Sequence, residues 1–245
     1  MEKFTYDNLV FEKINATVCA LGTSNGLYGN AVPNGTTLSG HVQIPSNAFD
    51  GSRYYKVIQT SPYSFRTCYL ITSISLPNTL EKIAMDTFWN TSITEIFIPK
   101  SVRTIAEFGF SEAIKLQSIL FEEGISATIG CRPFENCRSL KLLILPSNII
   151  LANNQDFFNT FLSDVYVCSP TFVPVGYLNF QNTVNIPTFH VTRYYKGETF
   201  MGKNVTIMND KDYCYTERNI KSCVYHNYNS LSSISFSYIL VFATM

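Results

Sequence analysis

Histidine and charge are scarce in this 245-residue chain, and each scarcity closes off a class of function. The histidines are His41, His190 and His226, each alone. None has a second ligand at metal spacing, and there is no H-E-x-x-H sequence, so no metal centre is expected. Charged residues make up 15% of the chain, 18 basic against 18 acidic. Without a basic cluster, nucleic acid is excluded as an expected partner. No P-loop, G-x-G-x-x-G run or G-x-S-x-G elbow is present, and nothing implies a cofactor. The adjacent pair Glu122 and Glu123 has no third partner that would make it a general acid/base system.

The seven cysteines, Cys19, Cys68, Cys131, Cys137, Cys168, Cys214 and Cys223, contain no C-x-x-C pair. Cys131, beside Arg132, is the one candidate for a reactive thiol. Cys68 and Cys137 read as small buried hydrophobes. Cys214 and Cys223 are the expected disulfide if the compartment is oxidising. An apolar run long enough to span a bilayer, about 20 residues, is also missing. Residues 234–245 form a 12-residue apolar run. It reads as a segment docked on the rest of the chain, a loose tail, or the remnant of a membrane anchor. Met1 to Asp7 lacks the basic and apolar regions of a signal peptide. Sequons at Asn15, Asn34, Asn90 and Asn204 matter only in a secreted chain.

A repeat of 22 to 24 residues is abundant where chemistry is not. Its first regular copy runs Ile71, Ile74, Leu76, Pro77, Leu80, Ile83, Phe88, Thr91. Equivalent copies begin at Ile93, Leu116 and Leu140, with a decayed one at Leu162. A fixed period of this length means a solenoid. Apolar residues at the first, fourth and sixth positions predict one strand per copy, near 72–76, 95–98, 118–121, 142–145 and 164–167. Proline at the seventh position cannot donate to a strand ladder and ends the strand. Phe88, Phe110, Phe134 and Phe157 share one frame position, opposite the strand, and should stack in the core.

This frame resembles the BspA-like leucine-rich repeat family over about residues 41–168. It departs from the family pattern where Glu122 replaces proline, and where Thr91, Ala113 and Thr160 replace the usual cysteine. The resemblance implies a mostly β, right-handed leucine-rich repeat solenoid, with one parallel strand plus a short helical turn per repeat and with N- and C-terminal caps. The division expected is 1–40 as N-terminal cap, 41–168 as solenoid, 169–208 as C-terminal cap, and 209–245 as a polar tail ending in the apolar run. The period is expected to be lost after Cys168.

Strand alternation turns the third and fifth frame positions outward. Phe97, Leu120, Ile144 and Tyr166, joined by Leu142, should therefore form an exposed apolar stripe that binds a protein partner, unless the C-terminal run covers it. The resemblance implies a non-catalytic surface antigen or adhesion protein at a cell surface, bound to a host or matrix protein. The alternatives are a cytoplasmic leucine-rich repeat scaffold, favoured by the missing signal peptide, and an enzyme. No small-molecule substrate is expected, and membrane association only if the C-terminal run is an anchor remnant.

Overall fold

A computed structural model describes residues 1–26, 29–33, 35, 37–122, 124–152, 155–168, 183–200 and 203–208. Eighteen strands form there. The first six are β1 Lys3–Tyr6, β2 Leu9–Lys13, β3 Val18–Leu21, β4 Gly40–Gln43, β5 Asn47–Phe49 and β6 Tyr54–Thr60. The regular coils follow with β7 Ile71–Ser75, β8 Lys82–Ile83, β9 Glu95–Ile98, β10 Thr104–Ile105, β11 Ser118–Phe121 and β12 Ser126–Ile129. The last six are β13 Leu142–Leu145, β14 Asn148–Leu151, β15 Asp164–Val167, β16 Thr188–Val191, β17 Thr199–Phe200 and β18 Lys203–Ile207.

Two sheets run along the solenoid. One contains the expected strands, β7, β9, β11, β13 and β15, at or within one residue of the predicted positions. Its hydrogen-bonded pairs β4/β7, β9/β11, β13/β15, β15/β16 and β16/β18 are all parallel. The ladder is not continuous. It divides into three groups, with breaks at β7/β9 and β11/β13. At the first break the Thr94 N–H still donates to the Thr72 carbonyl at 3.1 Å. The coils keep their stacking without every ladder bond because a second sheet and a core of stacked rings also join each coil to the next.

That second sheet is absent from the sequence reading. It forms where each coil returns, through β6, β8, β10, β12 and β14, again in parallel. The antiparallel strands β1 and β2 and the parallel β3 extend it at the N-terminal end. The frame residues Ile83, Ile105, Ile129 and Leu151 come from these return strands and are fully buried.

The helical turn expected in each repeat is replaced by a non-helical corner, and among the described residues there is no helix. Two residues four apart take positive φ in every coil: Tyr63 and Thr67, Asp86 and Asn90, Phe108 and Glu112, Arg132 and Asn136, Gln155 and Asn159. The phenylalanine lies midway between them. A helix would send each N–H four residues back. Here the left-handed residues turn alternate N–H groups toward the next coil, so Phe88 N–H donates to Gly109 O and Phe110 N–H to Pro133 O, both at 2.8 Å. The rings of Phe65, Phe88, Phe110, Phe134 and Phe157 then stack in one column at 5.1 to 5.8 Å. All five are fully buried, as the shared frame position requires.

The solenoid also continues past the point where the period is lost in the sequence. Val165 pairs with Phe189, and His190 with Tyr166, in the same parallel register that joins the earlier coils. β18 adds a further parallel strand, and β17 pairs with it as an antiparallel hairpin. The segment connecting β15 to β16 is mostly outside the described residues, as is everything after Met208, including Cys214, Cys223 and the 234–245 run.

Candidate interaction face

The strands β9 to β16 present two sets of side chains. Ile96, Ile98, Ile119, Phe121, Leu143, Leu145, Val165 and Val167 point inward and are buried. One step along each strand the direction reverses. The outward residues meet in register: Glu95 beside Ser118, Phe97 beside Leu120, Leu142 beside Asp164, and Ile144 beside Tyr166. The expected stripe is thus assembled on one face. Its accessibility is uneven. Phe97 is 49% exposed, Leu142 and Tyr166 are half-buried, and Leu120 and Ile144 are only 7% exposed. The expectation that all five are accessible is corrected for these last two. Branched side chains standing about 4.8 Å apart shield one another's flanks, so mid-ladder residues make a floor and Phe97 a raised rim.

Polar groups flank the apolar centre. At one end His41 lies 2.9 Å from Ser73 Oγ through Nδ1 and 3.1 Å from Ser75 Oγ through Nε2. At the other, His190 Nε2 lies 2.8 Å from Asp164 Oδ1, and its ring stacks on Tyr166 at 4.3 Å and 10°. The sequence offered no reason to join His190 to this face, because the alignment of β16 with β15 is visible only in three dimensions. Two further members carry a polar charge or hydroxyl at the centre. Glu95 is half-buried, and burial raises its carboxyl above the usual carboxylate range. Ser118 is 5% exposed, and its Oγ has no hydrogen-bond partner among the described residues. None of the face strands β4, β7, β9, β11, β13, β15 and β16 contains a lysine or arginine.

The other residues singled out by sequence fall elsewhere. Glu122 takes the proline position by a different device. Its N–H donates to Ile98 O at 2.9 Å, which proline could not do, and its carboxylate accepts from the Lys100 N–H at 2.9 Å and meets Lys100 Nζ at 3.3 Å. Glu123 lies outside the described residues. Burial raises the Cys131 thiol, against the pull of Arg132, so it is not a ready thiolate. Cys68 and Cys137 are free, with Cys68 pushed up to about 11 by burial, consistent with small packed side chains. Cys168 is disulfide-bonded. Cys214 and Cys223, the expected pair, lie outside the described residues. Among the described residues no group of three His, Cys, Asp or Glu is arranged to hold a metal, and no helix is long and apolar enough to cross a membrane. A cavity of about 400 Å³ lies at the N-terminal end, lined in part by Val32, Pro33, Leu38, Arg66 and Tyr69, away from the face.

Solved structures share the architecture. The T. pallidum leucine-rich repeat protein TpLRR superposes with a TM-score of 0.55 at 16% identity, over 92% of this chain and 97% of that one. The pneumococcal vaccine antigen PcpA gives 0.54 at 18% identity, over 68% of this chain. The chain spans 50% of that structure's length. A leucine-rich cell surface protein from Faecalibacterium prausnitzii gives 0.52 at 16%, covering 86% of this chain and 56% of that one. At these identities the likeness establishes the fold alone. No curated protein sequence matches. The family model for the BspA-type leucine-rich repeat region does match, in six copies over residues 58–187, more than half of the chain. Those copies begin within β6 and take in the strands, return strands and phenylalanine column of the regular coils, so this chain belongs to the BspA-type leucine-rich repeat family.

Proposed function

We propose that this protein is a non-catalytic binding module, displayed at a cell surface, that docks a protein partner on its outer strand face as an antigen or adhesion molecule would. The observation that carries this is Phe97. It is a large aromatic side chain, 49% exposed on a parallel strand face, at the rim of a floor formed by packed Leu120 and Ile144. With half-buried Leu142 and Tyr166 on the same face it belongs to an apolar patch rimmed by polar groups, the kind of surface that marks an interaction site, and interface energy concentrates in aromatic anchors of this kind.

The names of two structural relatives, a vaccine antigen and a cell surface protein, support the surface location. Host or matrix proteins are the partner class this reading implies. Phe97→Asp is the test. It should remove binding of the displayed chain to host cells or matrix-coated surfaces while its thermal midpoint stays within a degree or two of the parent. Undiminished binding by a folded Phe97→Asp variant would move the contact surface off this face.

A further inference from the structure

We infer that Glu95 and Ser118 select the partner: a protein segment bearing an arginine, or less tightly a lysine, next to an apolar side chain that packs on Phe97. This rests on the strand-face reading and adds the partner's chemistry to it.

Glu95 and Ser118 are direct neighbours across β9 and β11, and both point to the outer face. Phe97 and Leu120 are the next outward pair, about 6.6 Å further along the strands. Several acids near the coils are answered within the chain. Asp164 has His190, Asp86 has Arg66 at 2.6 Å, Glu122 has Lys100, and Glu112 accepts from Asn136 at 2.6 Å. Glu95 has no hydrogen bond or ion pair among the described residues, although it is half-buried and its charged form is disfavoured by that burial. No cation on the face strands can supply one, since these hold neither lysine nor arginine.

Ser118 makes the same point with a neutral group. Buried hydroxyls nearly always find a partner, and leaving one without costs about 1–3 kcal/mol. Its Oγ is buried and has none among the described residues. A carboxylate and a hydroxyl side by side both accept hydrogen bonds, and a guanidinium presents five donors in a planar fork that spans two such acceptors. An ammonium would satisfy Glu95 but is a single point of charge. Charge, hydrogen-bond demand and the exposed ring beside them therefore describe one occupant, a cationic and apolar protein segment, rather than a sugar or an anion.

The experiment is a selection of displayed random 12-residue segments on the full chain, followed by titration of the synthesised winners. The winners should carry arginine or lysine beside an apolar residue. Replacing that basic residue by glutamine should weaken binding tenfold or more, and Glu95→Gln should do the same. The two changes together should cost little more than either alone. Ser118→Ala should weaken arginine segments several-fold and lysine segments less. Because Glu95→Gln removes a desolvated charge, the fold is retained, which a thermal melt checks. Glu95→Lys provides an independent arm and should shift the selection to acidic segments. Winners without a basic residue, equal affinity for Glu95→Gln, or an empty selection each overturn the inference. Winners that lose binding with Phe97→Asp but not with Glu95→Gln would leave the face reading standing and remove only the charge selection. Winners indifferent to Phe97→Asp would remove the face reading itself.

Discussion

Phe110 shows how much one residue of the repeat holds. It is fully buried, stacked between Phe88 at 5.1 Å and Phe134 at 5.6 Å, and its carbonyl faces Cys137 Sγ at 3.1 Å. Deleting the ring leaves a cavity that two neighbouring coils cannot both close. Phe110→Ala should therefore lose about 3–5 kcal/mol in chemical denaturation, and the loss should be felt by adjacent coils because stability in a solenoid passes through neighbours. Asp156 behaves in the opposite sense. It sits beside Phe157 with no exposed surface, and burial, only partly offset by the Arg132 backbone N–H, pushes it up to about 8. A free aspartate titrates near 3.9. Between those values the folded chain holds a proton that the unfolded chain has released. Asp156 thus stabilises fully below about pH 4 and progressively less as the pH rises toward 8. Thermal midpoints measured across that window should fall with rising pH, and Asp156→Asn should flatten the slope. An unchanged slope would mean that the carboxylate finds a partner.

The non-helical corner is the distinctive element of each coil. It asks two residues per coil for positive φ, and not one of the ten is glycine. Side chains with a Cβ lose about 1–2 kcal/mol in that conformation, with asparagine and aspartate the best tolerated. Asn90, Asn136 and Asn159 meet the demand, and they also bond across coils: Asn136 Nδ2 donates to Glu112 Oε1, and Asn159 Nδ2 to Asn136 Oδ1 at 2.5 Å. Thr67 occupies the equivalent place in the first such corner at φ 63 with a β-branched side chain, which fits it worst. Thr67→Asn should raise the denaturation midpoint, by about 1 kcal/mol of stability. A decrease would show that the Thr67 hydroxyl, bonded to Arg66 O at 2.6 Å, outweighs the relieved backbone. These corners explain why a helical turn was the wrong expectation. Left-handed positions filled by Asp, Asn, Phe, Glu and Arg carry no glycine signature to read.

At the scale of the molecule, the two sheets divide the work. The return sheet and the phenylalanine column hold coil to coil, and the outer strand sheet is left to meet something else. That division separates two kinds of variant on adjacent residues of one face. Leu120→Asp places a charge at a site with 7% exposure and should lower the thermal midpoint by several degrees or prevent folding. Phe97→Asp, directly beside it in register, should leave the midpoint almost unchanged. If both variants melt like the parent, the floor of the stripe is more open than its packing indicates.

Periodicity alone determined the coil: which residues point inward, where five strands lie, and that the phenylalanines stack. Apolar positions recurring every 22 to 24 residues can be buried together only by stacking parallel strands. The return strands were not legible, because Lys82–Ile83 and Thr104–Ile105 are two residues long and show one apolar position each. Nor was the continuation past Cys168, since β16 joins β15 after a connection that breaks the frame. The face was half legible. Alternation named Phe97, Leu120, Leu142, Ile144 and Tyr166, yet only the packed structure decided that Leu120 and Ile144 form a floor, that His190 stacks on Tyr166, and that Glu95 and Ser118 stand without partners among the described residues. Which side a strand residue faces is set by its own chain through the two-residue pleat. How much of it stays open, and which polar group answers it, depends on neighbours from other coils, and those are chosen by the fold.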